Sequence, residues 1–315
     1  MTPDSQTARV LAAAKAGPLS KIEDLVPEQI RAFDVKTNPP DQDARARIQS
    51  SVDISIPGQE GDIPARVYFP TEETGGLILY FHGGGHVIGS YEVFDGFSCL
   101  LSAESGATVV SVDYRLAPEH RFPAGLNDCY AAYCWAVEHF ASEFGRQVGR
   151  IAVIGDSAGG AMAAGVTFLA RRDGRRMPDF QALIYPMLAG DRETESRRRN
   201  GEGFLVTRAM ISYYMELYAA RPEDASDPLF APSLQPDLTG LPPALIITAD
   251  LDPLRDEGES YARRLRTAGV DVIYTCYGGT IHGFVKRYRE IDKGRAAISQ
   301  VATTVRLALQ GGWST

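Results

Sequence analysis

Short apolar runs recur along this chain, separated for the most part by helical stretches. They read GLILYF at 76–81, ATVVSV at 107–112, RIAVIG at 150–155, FQALIYP at 180–186 and PALIITA at 243–249. Runs this apolar suit strands covered on both faces, as in a parallel sheet. Between most of them lie LNDCYAAYCWAVEHF, AGGAMAAGVTFLARR and ESYARRLRTAG, which read as helices. The alternation predicts an α/β chain with a doubly wound, mainly parallel sheet. Upstream, SVDISIPG and IPARVYFP alternate apolar and polar residues and predict antiparallel strands near a sheet edge.

The first fifty residues are helical in pattern. VPEQIRAF places Pro27 at a first helical position and Glu28 in the first turn, where a negative charge suits the helix dipole. NPPD at 38–41 then breaks the chain. One connection is too long for a simple crossover: more than fifty residues separate FQALIYP from PALIITA. It opens with the polar AGDRETESRRRNGEG and continues with the aromatic MISYYMELY. This predicts an insertion with its own helices, lying over the catalytic edge of the sheet. Tyr213, Tyr214, Met215 and Tyr218 either line an apolar pocket there or make the core contacts of a helix pair, and both readings stay open.

The chain has 315 residues, 44% of them hydrophobic, and a formal net charge of −8. No block of Lys and Arg is long enough to follow a phosphate backbone, which argues against a nucleic-acid partner. RRRN at 197–200 and the arginine pair at 171 and 172 read as solvated faces. Cys99, Cys129, Cys134 and Cys276 form no CxxC pair and no zinc spacing, so they read as free thiols, mostly buried. The N-terminus lacks a basic region followed by an apolar one, and no run reaches membrane-spanning length. A soluble, cytoplasmic protein is expected.

The chemistry concentrates in RIAVIGDSAGGAMAAG. Gly155, Ser157 and Gly159 satisfy G-x-S-x-G between a buried strand and a small-residue helix, the setting of a nucleophile elbow. A serine hydroxyl needs a base, and the base an orienting acid. His282 is the only histidine after Ser157 and sits in the glycine-flanked loop YGGTIHGF. Three carboxylates, Asp250, Asp252 and Asp256, follow PALIITA, and position alone does not choose among them. Asp252 could equally cap the next helix, with Pro253 behind it. Attack on a carbonyl also needs fixed donors for the oxyanion. Ala158 N–H supplies one, and HGGG at 82–85, after an early strand, supplies a backbone stripped of side chains. The chain has no G-x-x-x-x-G-K-[ST] and no HExxH, and GGGHVIG does not fit G-x-G-x-x-G, which disfavours phosphate-loop, zinc-hydrolase and dinucleotide readings.

HGGG at 82–85, DYRLAPEHRFPA at 113–124, GDSAGG at 155–160, DPLRDEG at 252–258 and IHGF at 281–284 stand in one order. With these motifs the chain resembles bacterial esterases of the hormone-sensitive lipase family, in the α/β-hydrolase superfamily, over nearly its whole length. The resemblance implies an eight-stranded, mainly parallel sheet with helices on both faces and a helical cap. It implies N-terminal helices at 1–45 that contribute to the cap, core segments at 46–187 and 236–315, and a cap insertion at 188–235. It selects Asp252 as the triad acid beside Ser157 and His282. It places the oxyanion donors at Gly84, Gly85 and Ala158, and makes His82, Asp113, Tyr114 and Arg115 braces of the oxyanion loop. His86, Tyr185, Phe204, Tyr213, Tyr214, Leu254 and Ile281 are expected around the substrate; His86 departs from the aromatic or apolar residue usual after HGGG. The activity implied is a serine carboxylesterase for short- to medium-chain acyl esters, without metal or cofactor. The partner is a small-molecule ester, and a homodimer is compatible with the family. An amide, formamide or acetyl hydrolase with the same triad is the alternative. A non-catalytic receptor is disfavoured because Ser157, Asp252 and His282 are all present.

Overall fold

The computed structural model describes residues 2–15 and 26–313. The part of the N-terminal expectation that falls on 16–25 lies outside the described residues. Helices α1 (Ser5–Lys15), α2 (Pro27–Thr37) and α3 (Gln42–Arg45) come first. Pro27 opens α2 with Glu28 in its first turn, and the Asp41 carboxylate caps α3 by accepting from the N–H groups of Asp43 and Ala44. Strands β1 (Ile48–Ile56), β2 (Ile63–Pro70) and β3 (Leu77–Phe81) follow, then α4 (Asp95–Ser105), β4 (Thr108–Val112), α5 (Ala124–Glu138) and α6 (Phe140–Phe144). Next come β5 (Ile151–Asp156), α7 (Ala158–Arg172) and β6 (Phe180–Ile184). After the insertion helices α8 (Glu195–Asn200) and α9 (Arg208–Tyr218), the chain ends with β7 (Ala244–Ala249), α10 (Arg255–Thr267), β8 (Val272–Tyr277) and α11 (Asp292–Leu309).

The eight strands form one sheet in the order β1-β2-β4-β3-β5-β6-β7-β8. β2 runs antiparallel to both neighbours, and every pair from β4 to β8 is parallel. Each apolar run in the sequence became a strand with every residue buried, because helices cover both faces. Alternate residues supply two cores. Leu77, Leu79 and Phe81 of β3 face α5, α7 and α10, whereas Ile78 and Tyr80 face α4 and α11. The alternating β1 is the largely exposed edge, as its pattern required.

Two expectations need correction. RRRN is not a wholly solvated face: Ser196, Arg197 and Asn200 turn inward on α8 while Arg198 and Arg199 stay exposed. The helical period puts these three on one side, and a buried carboxylate, Glu257, receives the arginine. Among the cysteines, Cys99 and Cys129 are buried, but Cys134 is half-buried and Cys276 is exposed on the edge strand β8.

The sheet holds α7 close by means of glycine. A Cβ on Gly159 would overlap the carbonyl oxygen of Phe81, the last residue of β3. Backbone cannot retreat there without parting helix from sheet, so Gly159→Ala should destabilise the protein by roughly 1–3 kcal/mol through overpacking. At this size each kcal/mol lowers Tm by about 2 °C. A thermal melt checks this, and an unchanged Tm would contradict the close approach.

Candidate active site

The site is assembled at the ends of the parallel strands. β5 stops at Asp156, and Ser157 follows with φ 54° and ψ −119°. That conformation costs a non-glycine residue on the order of 1–3 kcal/mol, so neighbours must hold it. Ser157 N–H donates to the Ile184 carbonyl at the end of β6 (2.8 Å), and its own carbonyl accepts from the N–H groups of Gly160 and Met187 (3.0 Å each). α7 begins at once, so the hydroxyl stands at a helix N-terminus.

Ser157 Oγ lies 2.8 Å from His282 Nε2, and His282 Nδ1 lies 2.7 Å from Asp252 Oδ2. A carboxylate at Nδ1 fixes the proton there and leaves Nε2 to accept from the serine. The other Asp252 oxygen accepts from Leu254 N–H at 2.7 Å, so the loop-capping role and the histidine contact belong to the same side chain. The two rival carboxylates are engaged elsewhere. Asp256 accepts from Ser196 N–H (2.7 Å), and Asp250 faces Arg255 (3.7 Å). Ser157 and His282 are 7% and 8% exposed and Asp252 is fully buried, so bulk water reaches the array only at its Ser157 and His282 end. Burial works to lower the His282 pKa, but the charge and hydrogen bond of Asp252, helped by Asp156 and Glu257, outweigh it, and the net shift is upward.

The second half of the site follows β3. Gly84 and Gly85 both have positive φ, 128° and 62°. A Cβ on Gly85 would overlap the Tyr214 ring, so glycine is required there both by conformation and by the ring of α9 above it. Among the described residues, the N–H groups of Gly84, Gly85 and Ala158 meet no hydrogen-bond acceptor. They are free to serve an oxyanion. The bracing is more selective than expected. Tyr114 OH donates to the His82 carbonyl (2.7 Å), and its ring stacks on the His82 imidazole. Burial lowers the His82 pKa to about 4, so it is a neutral packing group. Asp113 lies 3.7 Å from His82 Nε2, beyond a hydrogen bond, and Arg115 is turned toward Asp128. Sequence reasoning missed the strongest brace: Asp156 Oδ1 accepts from both Tyr80 OH and Gly83 N–H, each at 2.7 Å. A carboxylate ending a fully apolar strand was the available signal.

Of the residues expected around the substrate, Tyr214 covers Gly85, and Tyr213 and Phe204 are half-buried. Tyr185 packs its ring on His282, 4.7 Å between centroids. His86 is neither solvent-exposed nor locally hydrogen-bonded through its ring. It is buried with Nδ1 unpartnered and stacks on Tyr218 at 3.9 Å. Burial pushes its pKa down to about 3. Leu254 and Ile281 are fully buried, one in each core, because the sheet ends draw both inward. A groove of about 420 Å³ along Phe168, Leu169 and Leu229 lies at the opposite end of α7 from Ser157. Among the described residues, no group of three His, Cys, Asp or Glu side chains is arranged to hold a metal ion, and no helix is long and apolar enough to cross a membrane.

Residues 78–286 match a family model described as the alpha/beta hydrolase fold. The chain is 42% identical over 265 residues to the carboxylic ester hydrolase LipN of Mycobacterium tuberculosis, covering 82% of this chain and 70% of that protein. It is 39% identical to an arylesterase of Saccharolobus solfataricus (74% and 76% covered) and 36% identical to an ethyl acetate hydrolase of Pseudomonas putida (77% and 79%). A hyperthermophilic esterase from Pyrobaculum calidifontis superposes with a TM-score of 0.88 at 38% identity, over 97% of this chain and 98% of that one.

Asp156→Ala would leave Gly83 N–H and Tyr80 OH buried without a partner, at about 1–3 kcal/mol each. The expected result is a lowered Tm and slower labelling of Ser157 by a fluorophosphonate probe. The slowing should be roughly 10–100-fold, less than the 10²–10³ of losing an oxyanion donor outright. Normal labelling in a destabilised protein would confine Asp156 to a folding role.

Proposed function

The chain belongs to the α/β-hydrolase fold family, among its hormone-sensitive-lipase-like carboxylesterases, and from that premise we propose that it cleaves short- to medium-chain acyl esters with Ser157 as nucleophile. The observation that carries the assignment of residues is the unbroken run Ser157–His282–Asp252, with contacts of 2.8 and 2.7 Å. The protein is a serine carboxylesterase. Ser157 Oγ attacks the ester carbonyl carbon while His282 Nε2 takes the hydroxyl proton. The carbonyl oxygen becomes an oxyanion held by the N–H groups of Gly84, Gly85 and Ala158. Collapse breaks the C–O bond to the alcohol, which leaves with the proton from His282. A water then attacks the acyl-serine, giving its proton to His282, and the carboxylic acid departs as Ser157 recovers a proton. Asp252 stays ionised throughout and steadies the imidazolium.

The cover supports the reading of a preference for small acyl groups. Tyr214 sits directly on the oxyanion loop, and His86, Tyr218 and Phe230 stack behind it. Tyr213 and Phe204, each half-exposed, are assigned to the mouth. Leu254 and Ile281 are assigned to packing, given their burial.

A p-nitrophenyl ester series from acetate to palmitate tests the reading. Turnover should peak at short chains and fall by about 10⁴-fold or more in Ser157→Ala. A peak at palmitate would remove the small-pocket reading, and an active Ser157→Ala would remove the mechanism. The pH profile supplies an independent test. His282 must be neutral to accept the serine proton, and its raised pKa delays that state as pH rises. The acid limb of kcat/KM should therefore have its midpoint above the ordinary imidazole value of about 6.5. A midpoint below it would contradict the Asp252 contact.

A further inference from the structure

We propose that the first helix of the insertion, α8, is a positioning element for the triad acid, acting through Asn200 and Ser196. This rests on the assignment of Asp252 as that acid. α8 has only six residues, Glu195–Asn200, too few to persist without tertiary support. Two of its inward side chains, Asn200 and Ser196, reach one segment, the loop from the end of β7 to the start of α10. Asn200 Nδ2 donates to the carbonyls of Asp250 and Asp252, 3.2 Å each. Ser196 Oγ donates to the Pro253 carbonyl (2.7 Å) and accepts from Asp256 N–H (3.1 Å), while Ser196 N–H donates to the Asp256 carboxylate (2.7 Å).

Arg197 completes the clasp. It pairs with Glu257 Oε1 at 2.7 Å, and Glu257 Oε2 accepts from the N–H groups of Leu188 and Ala189 just after β6. Ser196, Arg197, Asn200, Asp252 and Glu257 are all nine-tenths or more buried. The acid loop is thus held from two sides, by His282 on Asp252 Oδ2 and by α8 on the backbone of residues 250, 252, 253 and 256. Arg255 at the start of α10 shares the load, its N–H donating to the Asp252 carbonyl (3.2 Å) and its Nη1 to the Asp250 carbonyl (3.5 Å). Any movement of the insertion is passed to the carboxylate that orients the base, although α8 itself touches neither Ser157 nor His282 in the hydrogen-bond network.

Asn200→Ala and Ser196→Ala test the proposal, with Ser196→Thr as the variant that keeps the hydroxyl. Active sites are counted with a fluorophosphonate so that unfolded protein does not enter kcat. In both alanine variants kcat should fall about tenfold or more, as a misplaced catalytic group demands, with KM within about twofold. The acid limb of the pH–rate profile should move to lower pH as Asp252 loosens from His282, and Ser196→Thr should restore both. An NMR titration of His282 reads the same shift without substrate, so it stands even if ester turnover is absent from the wild-type protein. Should Asn200→Ala fail to fold, Ser196→Ala decides alone. A lowered Tm with kcat, acid limb and His282 titration unchanged would overturn the proposal and leave α8 a purely structural clasp.

Discussion

One buried carboxylate fixes how the two halves of the site face each other. Asp156 closes β5, in the middle of the sheet, and its Oδ1 receives both Tyr80 OH from the neighbouring β3 and Gly83 N–H from the loop beyond it. Burial alone pushes its pKa upward, so the group belongs there only because donors meet it. β3 and β5 are already paired, with Phe81 opposite Gly155. The carboxylate extends that register one step past the last strand residue. Ser157 and the glycines proposed to hold the oxyanion, which come from separate stretches of chain, are thereby held to one spacing without relying on loop stiffness.

Electrostatics then separates three histidines that share this small, dry volume. His82 and His86 are buried with no carboxylate in hydrogen-bond reach, and burial takes their pKa values to about 4 and 3. They are neutral spacers, each stacked on a tyrosine ring. His282 is also buried but has Asp252 at 2.7 Å, and its pKa moves the other way. Desolvation strengthens the attraction that opposes it, because the same low dielectric magnifies the nearby charge. A base poised to take and return a proton needs that opposition; a spacer needs only to remain uncharged.

Much of this was legible in the residues because the signals are local. Apolar runs marked buried strands, and strand–glycine–serine–glycine–helix marked the elbow, since both depend on neighbours a few positions away. The acid was different. Asp250, Asp252 and Asp256 lie within seven residues, and only the return of the chain with His282 separates them, so the choice came from resemblance to relatives. RRRN misled for a related reason. Periodicity says which side chains share a face, but a charged face enters the core only if a distant partner such as Glu257 waits there. His86 was ambiguous because nothing near it in sequence announces the Tyr218 ring, which arrives from the insertion.

Catalytic loops at strand ends carry backbone groups that no sheet satisfies, and here each loop finds partners outside the sheet. Arg31 of α2 donates to the carbonyls of Val87 and Ala117, bracing the far end of the oxyanion loop. Asp34, one turn further along α2, pairs with Lys286, four residues beyond His282. α9 lays Tyr214 over Gly85, and α8 takes the carbonyls of the acid loop. Helix α2 and the segment between β6 and β7 therefore contact the loops of the candidate site directly. They supply the hydrogen bonds that let irregular backbone stay buried and fixed, which is the condition for a serine, an imidazole and three N–H groups to meet one carbonyl.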